Sequence, residues 1–251
     1  MSEKTFADQY IVVTGGGTGI GRAAALAFAE QGAAGVVITG RRRETLDEAA
    51  AEHPALIPVV ADVTTPEGAD AVAAAITEHG GRLDVLVHNA GIFRNTPLDA
   101  LDADAVRAQL DINVTGPVLL TARLLPLLRV GGNIVLVSSI SARLAGAGSS
   151  VYSASKAAVD SLVRSWAVEL GPKGIRVNGV APGQVDTPIL GIAGMPPEAV
   201  QDWYTQYAAS VPAGRIGTVH DISSWITRLA EPSSSWITGE IITIDGGKLL
   251  V

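Results

Sequence analysis

The sequence predicts a single α/β domain in which a parallel β-sheet is covered by helices on both faces. Short apolar runs rich in β-branched residues alternate with longer helical patterns along the chain, which favours βαβ units. Of the 251 residues, 47% are hydrophobic, a content that suits strands buried on both faces. The first apolar run ends in a glycine-rich turn before a helical pattern, the arrangement that holds a phosphate at a helix N-terminus.

Seven apolar runs are expected to form the strands of this sheet. They cover residues 10–13, 36–40, 57–61, 84–87, 133–137, 175–180 and 241–244. Helical patterns occupy residues 22–31, 44–51, 67–79, the stretch from 103 onward, 152–170, 198–210 and 219–230. No repeat, low-complexity tract or linker interrupts the alternation, so residues 1–251 are expected to form one domain.

Composition argues against several classes of function. The net charge of −7 does not suit a nucleic-acid-binding surface, and every apolar run is shorter than the roughly 18 residues of a membrane span. The chain has no cysteine, and its four histidines show no ligand spacing, so no metal site is expected. Residues 1–8 lack the pattern of a signal peptide. We expect a cytoplasmic protein that binds neither nucleic acid nor membrane.

Tyr152 and Lys156 are the strongest candidates for chemistry. Residues four apart lie on one face of a helix, so the phenol and the ammonium are expected to reach one spot. Lowering the pKa of a tyrosine from about 10 by ~2–3 units requires roughly 3–4 kcal/mol in favour of the phenolate. A lysine about 5 Å away supplies on the order of 3 kcal/mol at an effective dielectric constant of about 20. We therefore expect Lys156 to lower the pKa of Tyr152 and make it a proton donor and acceptor for a carbonyl or an alcohol. The alternative is an exposed helical turn that carries both residues by chance.

The glycine-rich turn is a candidate dinucleotide site. Gly15, Gly19 and Gly21 lie in a region where glycines would let the backbone approach a pyrophosphate without a clashing Cβ. The next strand ends in Gly40, where a fold that binds NAD carries a carboxylate for the ribose hydroxyl. Arg41 and Arg42 follow at once, and their forked donors suit the 2′-phosphate of NADP. The sequence therefore favours NADP(H), with NAD(H) possible and a solvated basic helix start as the alternative for these arginines.

Residues 184–217 differ in character from the rest of the chain. They combine four prolines with a methionine and three aromatic residues, namely Pro188, Pro196, Pro197, Pro212, Met195, Trp203, Tyr204 and Tyr207. Open α/β sheets bind ligands beyond the carboxyl ends of their strands, so this segment is expected to form a substrate-binding lid there. Its content favours a small hydrophobic or cyclic substrate. An ordinary connecting loop is the alternative.

Further motifs at the strand ends complete a family pattern. The residues His88-Asn89-Ala90-Gly91 follow the fourth strand, Asn113 interrupts an apolar helical stretch, and Ser139 follows the fifth strand. With Tyr152, Lys156 and the glycine turn, they resemble the Asn-Asn-Ala-Gly motif, catalytic tetrad and cofactor loop of the short-chain dehydrogenase/reductase family in its single-domain form. The resemblance covers nearly the whole chain. It implies a doubly wound Rossmann domain.

The resemblance also implies a role for each member of the tetrad. Tyr152 would exchange a proton with the substrate oxygen while a hydride passes to or from the nicotinamide, and Ser139 would hydrogen-bond that oxygen. Lys156 would hold the nicotinamide ribose, and Asn113 would hold a water that links Lys156 to solvent. Tyr152 and Lys156 would share cofactor binding with Gly15, Thr18, Gly19, Ile20, Arg41, Arg42, Asp62, Val63, Asn89, Ala90, Gly91, Pro182, Gly183, Val185 and Thr187.

Two positions depart from the family pattern. His88 replaces the first asparagine of the Asn-Asn-Ala-Gly motif, and we expect it to serve a structural role. Family members that prefer NADP often carry a basic residue inside the glycine loop, where this chain has only Gly17 and Thr18. The expectation of NADP therefore depends on Gly40, Arg41 and Arg42 alone.

Several functions fit this pattern to different degrees. The first is an NADP(H)-dependent oxidoreductase that interconverts a ketone and a secondary alcohol. A 3-oxoacyl-carrier-protein reductase is a specific candidate, but the arginines that could meet an acidic carrier protein are scattered, at Arg107, Arg123, Arg129 and Arg143. An NAD-dependent alcohol dehydrogenase and a non-catalytic NADP-binding sensor are alternatives; the filled tetrad argues against the sensor. An epimerase or dehydratase would need a longer chain.

The resemblance implies a homotetramer as well. Family members of this size usually assemble through the helix that carries the catalytic tyrosine, the preceding helix and the C-terminal strand. The close of the chain, Lys248-Leu249-Leu250-Val251, ends in three apolar residues and would suit a buried terminus at such an interface; a frayed tail is the alternative.

Overall fold

A computed structural model describes residues 4–251 as one seven-stranded sheet in which all neighbouring strands are parallel. The first three residues, which belong to the stretch considered for a signal peptide, lie outside the described residues. The strand order is β3-β2-β1-β4-β5-β6-β7. This is the doubly wound α/β architecture that the sequence predicts.

Most elements have the bounds that the apolar patterns predict. The strands are β1 (Tyr10–Thr14), β2 (Gly35–Gly40), β3 (Leu56–Val60), β4 (Leu83–His88), β5 (Leu128–Val137), β6 (Arg176–Pro182) and β7 (Ile241–Ile244). The helices are α1 (Gly19–Glu30), α2 (Arg43–Ala50), α3 (Pro66–His79), α4 (Ala103–Leu110), α5 (Gly116–Leu124), α6 (Ser150–Leu170), α7 (Ile189–Ile192), α8 (Pro197–Ala209) and α9 (Val219–Ala230). None of the helices in residues 4–251 is both long enough and apolar enough to cross a bilayer.

Apolar layers pack against both faces of the sheet. One layer joins the sheet to α1, α2 and α9, with Phe28 and Ile226 fully buried in it. The other joins the sheet to α3, α5 and α6, with Leu120 and Val163 fully buried. Because both faces are covered, the strands read as unbroken apolar runs, as the hydrophobic content indicated.

Three local features differ from the sequence-based expectation. The strand expected at 133–137 begins at Leu128, and its pairing with β4 shifts register between Leu83 and Val85. The helix expected from 103 onward is divided by a π-helical turn at Asp111–Thr115. The lid contains the short helix α7 in addition to the expected α8.

The base of the lid is closed by backbone hydrogen bonds between its two ends. Val185 and Gly217 form a parallel bridge. The N–H of Gly217 donates to the Gln184 carbonyl at 2.8 Å, and the N–H of Asp186 donates to the Gly217 carbonyl at 3.0 Å. The lid therefore leaves and rejoins the domain at one point beside the end of β6.

Candidate active site

A cleft of about 1210 Å³ lies at the carboxyl ends of the strands and is roofed by the lid. The strand order reverses between β1 and β4, because the chain builds β1-β2-β3 outward on one side and β4 to β7 on the other. Ligands of open α/β sheets bind at such a point. The cleft is therefore where the fold itself places a binding site.

The glycine turn forms the floor of this cleft at the N-terminus of α1. Gly15 and Gly19 have φ angles of 65° and 55°, which favour glycine. A Cβ at Gly21 would overlap the Gly15 carbonyl oxygen and the Asn89 amide. The N-cap residue Thr18 makes no side-chain capping bond, so the first N–H groups of α1 remain available to an anion. These residues fit the pyrophosphate of a dinucleotide.

Thr14 and Asn89 join the ends of β1 and β4 across the point where the strand order reverses. The Thr14 hydroxyl accepts hydrogen bonds from the backbone N–H groups of Asn89 and Ala90 at 3.0 and 2.9 Å. The Asn89 side-chain amide donates to the carbonyl oxygens of Thr14 and Gly15 at 2.9 and 3.3 Å. Asn89 therefore fixes the conformation of the glycine turn from the neighbouring strand.

Charged residues line the end of the cleft near β2 and β3. Arg41 and Arg42 are exposed and line the cleft, whereas Arg43 pairs with Asp47 at 3.5 Å and lies outside it. Burial pushes the pKa of Asp62 upward, but hydrogen bonds from the Thr64 hydroxyl and N–H and the charge of Arg41 outweigh this, and the net pKa is lowered. Asp62 is therefore an ionised acceptor near the charge of Arg41.

Tyr152 and Lys156 lie one turn apart on α6, as predicted, but the pKa of the tyrosine moves in the direction opposite to the prediction. The Lys156 Nζ lies 5.8 Å from the centre of the Tyr152 ring and donates to the Val137 carbonyl at 2.9 Å. Burial raises the pKa of Tyr152, and the Ser139 hydroxyl beside it opposes this only in part. The expectation of a lowered Tyr152 pKa is wrong for this structure, because the sequence does not reveal how much water the phenol loses.

The ammonium of Lys156 is itself destabilised by burial. Its pKa is lowered from 10.5 to about 8, since burial disfavours the charged form, while the charge of Asp160 acts in the opposite direction. Near neutral pH Lys156 is still mostly protonated, so a positive charge stands beside the Tyr152 phenol.

Asn113 lies behind the cleft wall, with every polar atom of its amide engaged. Its Oδ1 accepts from the Ile92 N–H at 2.9 Å, and its Nδ2 donates to the Ile92 carbonyl and to the Ser155 hydroxyl, both at 3.0 Å. These bonds join the π-helical turn to α6, one residue before Lys156. π-Helical turns commonly occur at functional sites. The partners that a buried asparagine requires are thus present.

A hydrogen-bonded network behind Lys156 was not identified from the sequence. The Ser138 hydroxyl donates to the Asp160 carboxylate at 2.5 Å, and the Arg143 guanidinium lies 3.7 Å from the other carboxylate oxygen. Arg143 also donates to the Thr243 hydroxyl at 3.1 Å. The i, i+4 spacing from Lys156 to Asp160 on a buried helix face is the sequence signal that could have found it.

The remaining sequence-predicted site residues lie together. Ser139 caps a short 3₁₀ turn at Ile140–Ala142, and its hydroxyl accepts from the Ser141 N–H at 3.1 Å. Of all the predicted catalytic and cofactor-binding residues, Asn113 is the one that does not line the cleft. Sequence reasoning missed Phe93, whose ring meets the Tyr152 ring edge-on at 5.3 Å.

His88 is buried in the interior at the end of β4. Its Nε2 hydrogen-bonds the Thr121 hydroxyl at 2.7 Å, and its ring lies 6.2 Å from that of Trp166. Burial lowers the pKa of His88 to about 3, so the ring is neutral near pH 7. Its position fits the structural role expected from the sequence.

Comparisons with known proteins agree with this geometry. A family model described as enoyl-(acyl carrier protein) reductase matches residues 15–248. The chain is 40% identical to the cis-4-hydroxycyclohexanecarboxylate dehydrogenase of Sinomonas cyclohexanicum over 99% of both chains. It is 35% identical to a 3-oxoacyl-[acyl-carrier-protein] reductase of Thermotoga maritima, over 95% of this chain and 97% of that protein.

Solved structures show the same fold. A short-chain dehydrogenase/reductase of unknown function from Caenorhabditis elegans, crystallised with cofactor, superposes with a TM-score of 0.92 at 36% identity. The match covers 98% of this chain and 97% of that one. A glucose/ribitol dehydrogenase of the same family from Brucella melitensis gives a TM-score of 0.90 at 33% identity, over 97% and 98% of the two chains.

The fold, the cleft and these relatives define the class of the protein. It is an oxidoreductase that acts on CH–OH donors, in a family that binds NAD(P)(H). The chain belongs to the short-chain dehydrogenase/reductase family.

The buried His88 predicts how stability depends on pH. Its folded pKa is about 3, and an unfolded histidine titrates at about 6.5, so only the unfolded state gains a proton between these values. The His88 contribution is fully present above pH 6.5 and is lost as the pH falls toward 3. Between pH 7 and pH 5 the wild type should lose about 2 kcal/mol more unfolding free energy than His88→Asn, measured by urea denaturation.

The exposed His220 provides a matched control for this measurement. His220→Asn should keep the wild-type dependence on pH, because it leaves the buried His88 ring in place. Equal losses for the wild type and for His88→Asn would contradict a neutral, buried His88.

Proposed function

We propose that this enzyme interconverts a small, largely apolar ketone and the corresponding secondary alcohol, with NADP(H) as its cofactor. The observation that carries the proposal is one cleft lined at one end by Arg41 and Arg42 and elsewhere by Ser139, Tyr152 and Lys156. The first group suits a ribose phosphate, and the second suits a reacting oxygen.

Tyr152 is assigned the proton transfer. When bound, the nicotinamide cofactor supplies the hydride for reduction or accepts it for oxidation. Tyr152 gives a proton to the carbonyl oxygen in reduction and takes one from the hydroxyl in oxidation. The raised pKa keeps its phenol protonated, which is the form that ketone reduction requires. The Lys156 charge, 5.8 Å from the ring centre, offsets part of the cost of the phenolate formed when the proton leaves.

Ser139 and Asn113 support this transfer from two sides. The Ser139 hydroxyl already accepts the Ser141 N–H, so its own proton remains available for the reacting oxygen, where negative charge develops. The side-chain amide of Asn113 is fully hydrogen-bonded to Ile92 and Ser155. Its side chain therefore acts as a positioning group that ties the π-helical turn to α6 beside Lys156.

The preference for NADP(H) is assigned to the end of β2. Gly40 stands at the end of β2 where a fold that binds NAD carries a carboxylate for the ribose hydroxyl. Arg41 and Arg42 line that end, and each guanidinium offers a fork of donors to phosphate oxygens. These features support NADP(H) over NAD(H).

The walls of the cleft support a carbocyclic substrate. The lid contributes apolar side chains, including Ile189, Ile192, Met195 and Trp203. The Sinomonas cyclohexanicum relative is named for a hydroxylated cyclohexane ring. We infer a ring of similar size, with the reacting oxygen directed to Tyr152.

A 3-oxoacyl-carrier-protein reductase is the second candidate, favoured by the Thermotoga maritima relative. Such an enzyme would need cations to meet an acidic carrier protein. Each of the four arginines considered from the sequence is already paired with an aspartate, in Arg107–Asp104, Arg123–Asp70, Arg129–Asp84 and Arg143–Asp160. This pairing supports a free small molecule over a carrier-bound substrate.

We further infer a homotetramer from two exposed apolar surfaces. Val168 on α6 is 79% exposed and Val118 on α5 is also exposed. Near the C-terminus, Trp236 is 100% exposed and both Trp225 and Leu250 are exposed. Two separate self-complementary surfaces on one chain are what a tetramer with D2 symmetry requires.

Replacement of Tyr152 tests the proposed chemistry. Tyr152→Phe should lower kcat for ketone reduction by roughly 10²-fold or more, because general acid catalysis typically contributes 10²–10⁴-fold. Tyr10→Phe, at the opposite end of the sheet, is the control and should keep wild-type rates. Full activity of Tyr152→Phe would refute the mechanism.

Replacement of the two arginines tests the cofactor assignment. Arg41→Ser combined with Arg42→Ser should weaken NADPH binding at least ~10-fold, or about 1.4 kcal/mol, and leave NADH binding nearly unchanged in fluorescence titrations. Arg43→Ser is the matched control, because Arg43 lies outside the cleft. Tighter binding of NADH than of NADPH by the wild type would overturn the assignment.

Light scattering after gel filtration tests the tetramer. The wild type should show four times the mass of one chain. Val168→Lys should show only twice the mass of one chain, because a charge disrupts one of the two interfaces and leaves a dimer. Glu78→Lys, on the exposed side of α3, should remain tetrameric. A monomeric wild type would contradict the assembly.

A further inference from the structure

Lys248 lies beside the lid and lines the same cleft as Tyr152. It begins the 3₁₀ turn Lys248–Leu250 that follows β7 and is partly buried. Its Nζ donates to the Ser210 hydroxyl at 3.0 Å and lies 5.7 Å from the centre of the Tyr207 ring. The ammonium is therefore held at the edge of the substrate space.

The positive charge of Lys248 has no anionic partner among residues 4–251. None of their carboxylate oxygens lies within 4.0 Å of its Nζ. Asp245 is nearest along the chain, but its carboxylate accepts the N–H groups of Gly247 and Leu249, both at 2.8 Å. A partly buried ammonium with one neutral hydroxyl partner retains strong capacity to bind an anion.

The surroundings of Lys248 restrict what that anion can be. The lid side chains that share the cleft wall are mostly apolar, with Met195 and Trp203 among them. The Tyr207 hydroxyl accepts the Gln184 N–H at 3.2 Å and keeps its own proton to donate. The Ser210 hydroxyl already donates to the Tyr207 carbonyl at 2.8 Å, so the ammonium of Lys248 and the hydroxyl of Tyr207 are the donors left for an anion. They suit a monovalent carboxylate on an apolar body. A phosphate dianion is usually met by more charged donors.

We propose that Lys248 binds a carboxylate of the substrate, on the side of the ring away from the reacting oxygen. This inference rests on the proposed function and narrows its substrate to small cyclic keto acids and hydroxy acids. Ser210 and Tyr207 hold the ammonium in place, and the apolar lid side chains pack against the ring. The charge fixes which end of the substrate faces Tyr152.

A binding measurement separates this role from a purely structural one. Cyclohexanecarboxylate has the anion but no carbonyl to reduce, and cyclohexanecarboxamide is its neutral counterpart. In calorimetric titrations of the NADP⁺-saturated protein, Lys248→Met should raise the Kd for the acid at least ~10-fold and leave the Kd for the amide within about twofold of the wild-type value. Lys248→Arg should keep most of the affinity for the acid. Lys173→Met, which removes an exposed lysine outside the cleft, should change neither.

Kinetics with 4-oxocyclohexanecarboxylate and its methyl ester complete the test. Lys248→Met should raise KM for the acid at least ~10-fold, with KM for the ester and kcat for both nearly unchanged. An equal rise in KM for the acid and the ester, or no rise for either, would overturn the carboxylate site. A wild type that reduces neither ketone, but binds the acid through Lys248, would refute the proposed function and leave the carboxylate site standing.

Discussion

The hydrogen bonds between Thr14 and Asn89 are the constraint on which the cleft depends. They join β1 to β4, the two strands between which the strand order of the sheet reverses. Without them the glycine turn would have free carbonyl groups and several accessible conformations. With them the turn is held from both strands, and the helix that follows directs its N-terminus into the cleft. The cofactor end of the site is thus shaped by two side chains, one at the end of each strand.

The catalytic end depends in the same way on buried polar groups along one helix. Successive turns of α6 present Tyr152, Lys156 and Asp160, and each is tied to a different neighbour. Ser155 meets Asn113 on the π-helical turn, and Asp160 meets Ser138 at the end of β5. Because Ser138 adjoins Ser139, these contacts set the helix and the strand end in a fixed relation. The separation of phenol, ammonium and serine hydroxyl follows from that relation.

Most of the fold could be predicted from the sequence because strand burial and helix amphipathicity leave periodic patterns. The bounds of α9 and β7 are as predicted. The sequence did not predict that β5 begins at Leu128, because Gly131 and Gly132 interrupt the apolar pattern there. The π-helical turn leaves no periodic signature. Motif spacing selected residues that, apart from Asn113, line one cleft. The pKa direction of Tyr152 could not be predicted, since it depends on the water lost in the folded state. The position of the Lys248 side chain could not be predicted either, because it depends on tertiary contacts with Ser210 and Tyr207 of the lid.

The closed base of the lid has a consequence for how this enzyme can diversify. The bridge between Val185 and Gly217 joins the two ends of the lid, so α7 and α8 lie in an excursion outside the seven-stranded sheet. Changes in the length or sequence of α7 and α8 would therefore reshape the substrate end of the cleft and leave the pairing of the seven strands in place. Selection for a new ring size or substituent would therefore act on a segment of the chain separate from α6 and the end of β5, which carry Ser139, Tyr152 and Lys156.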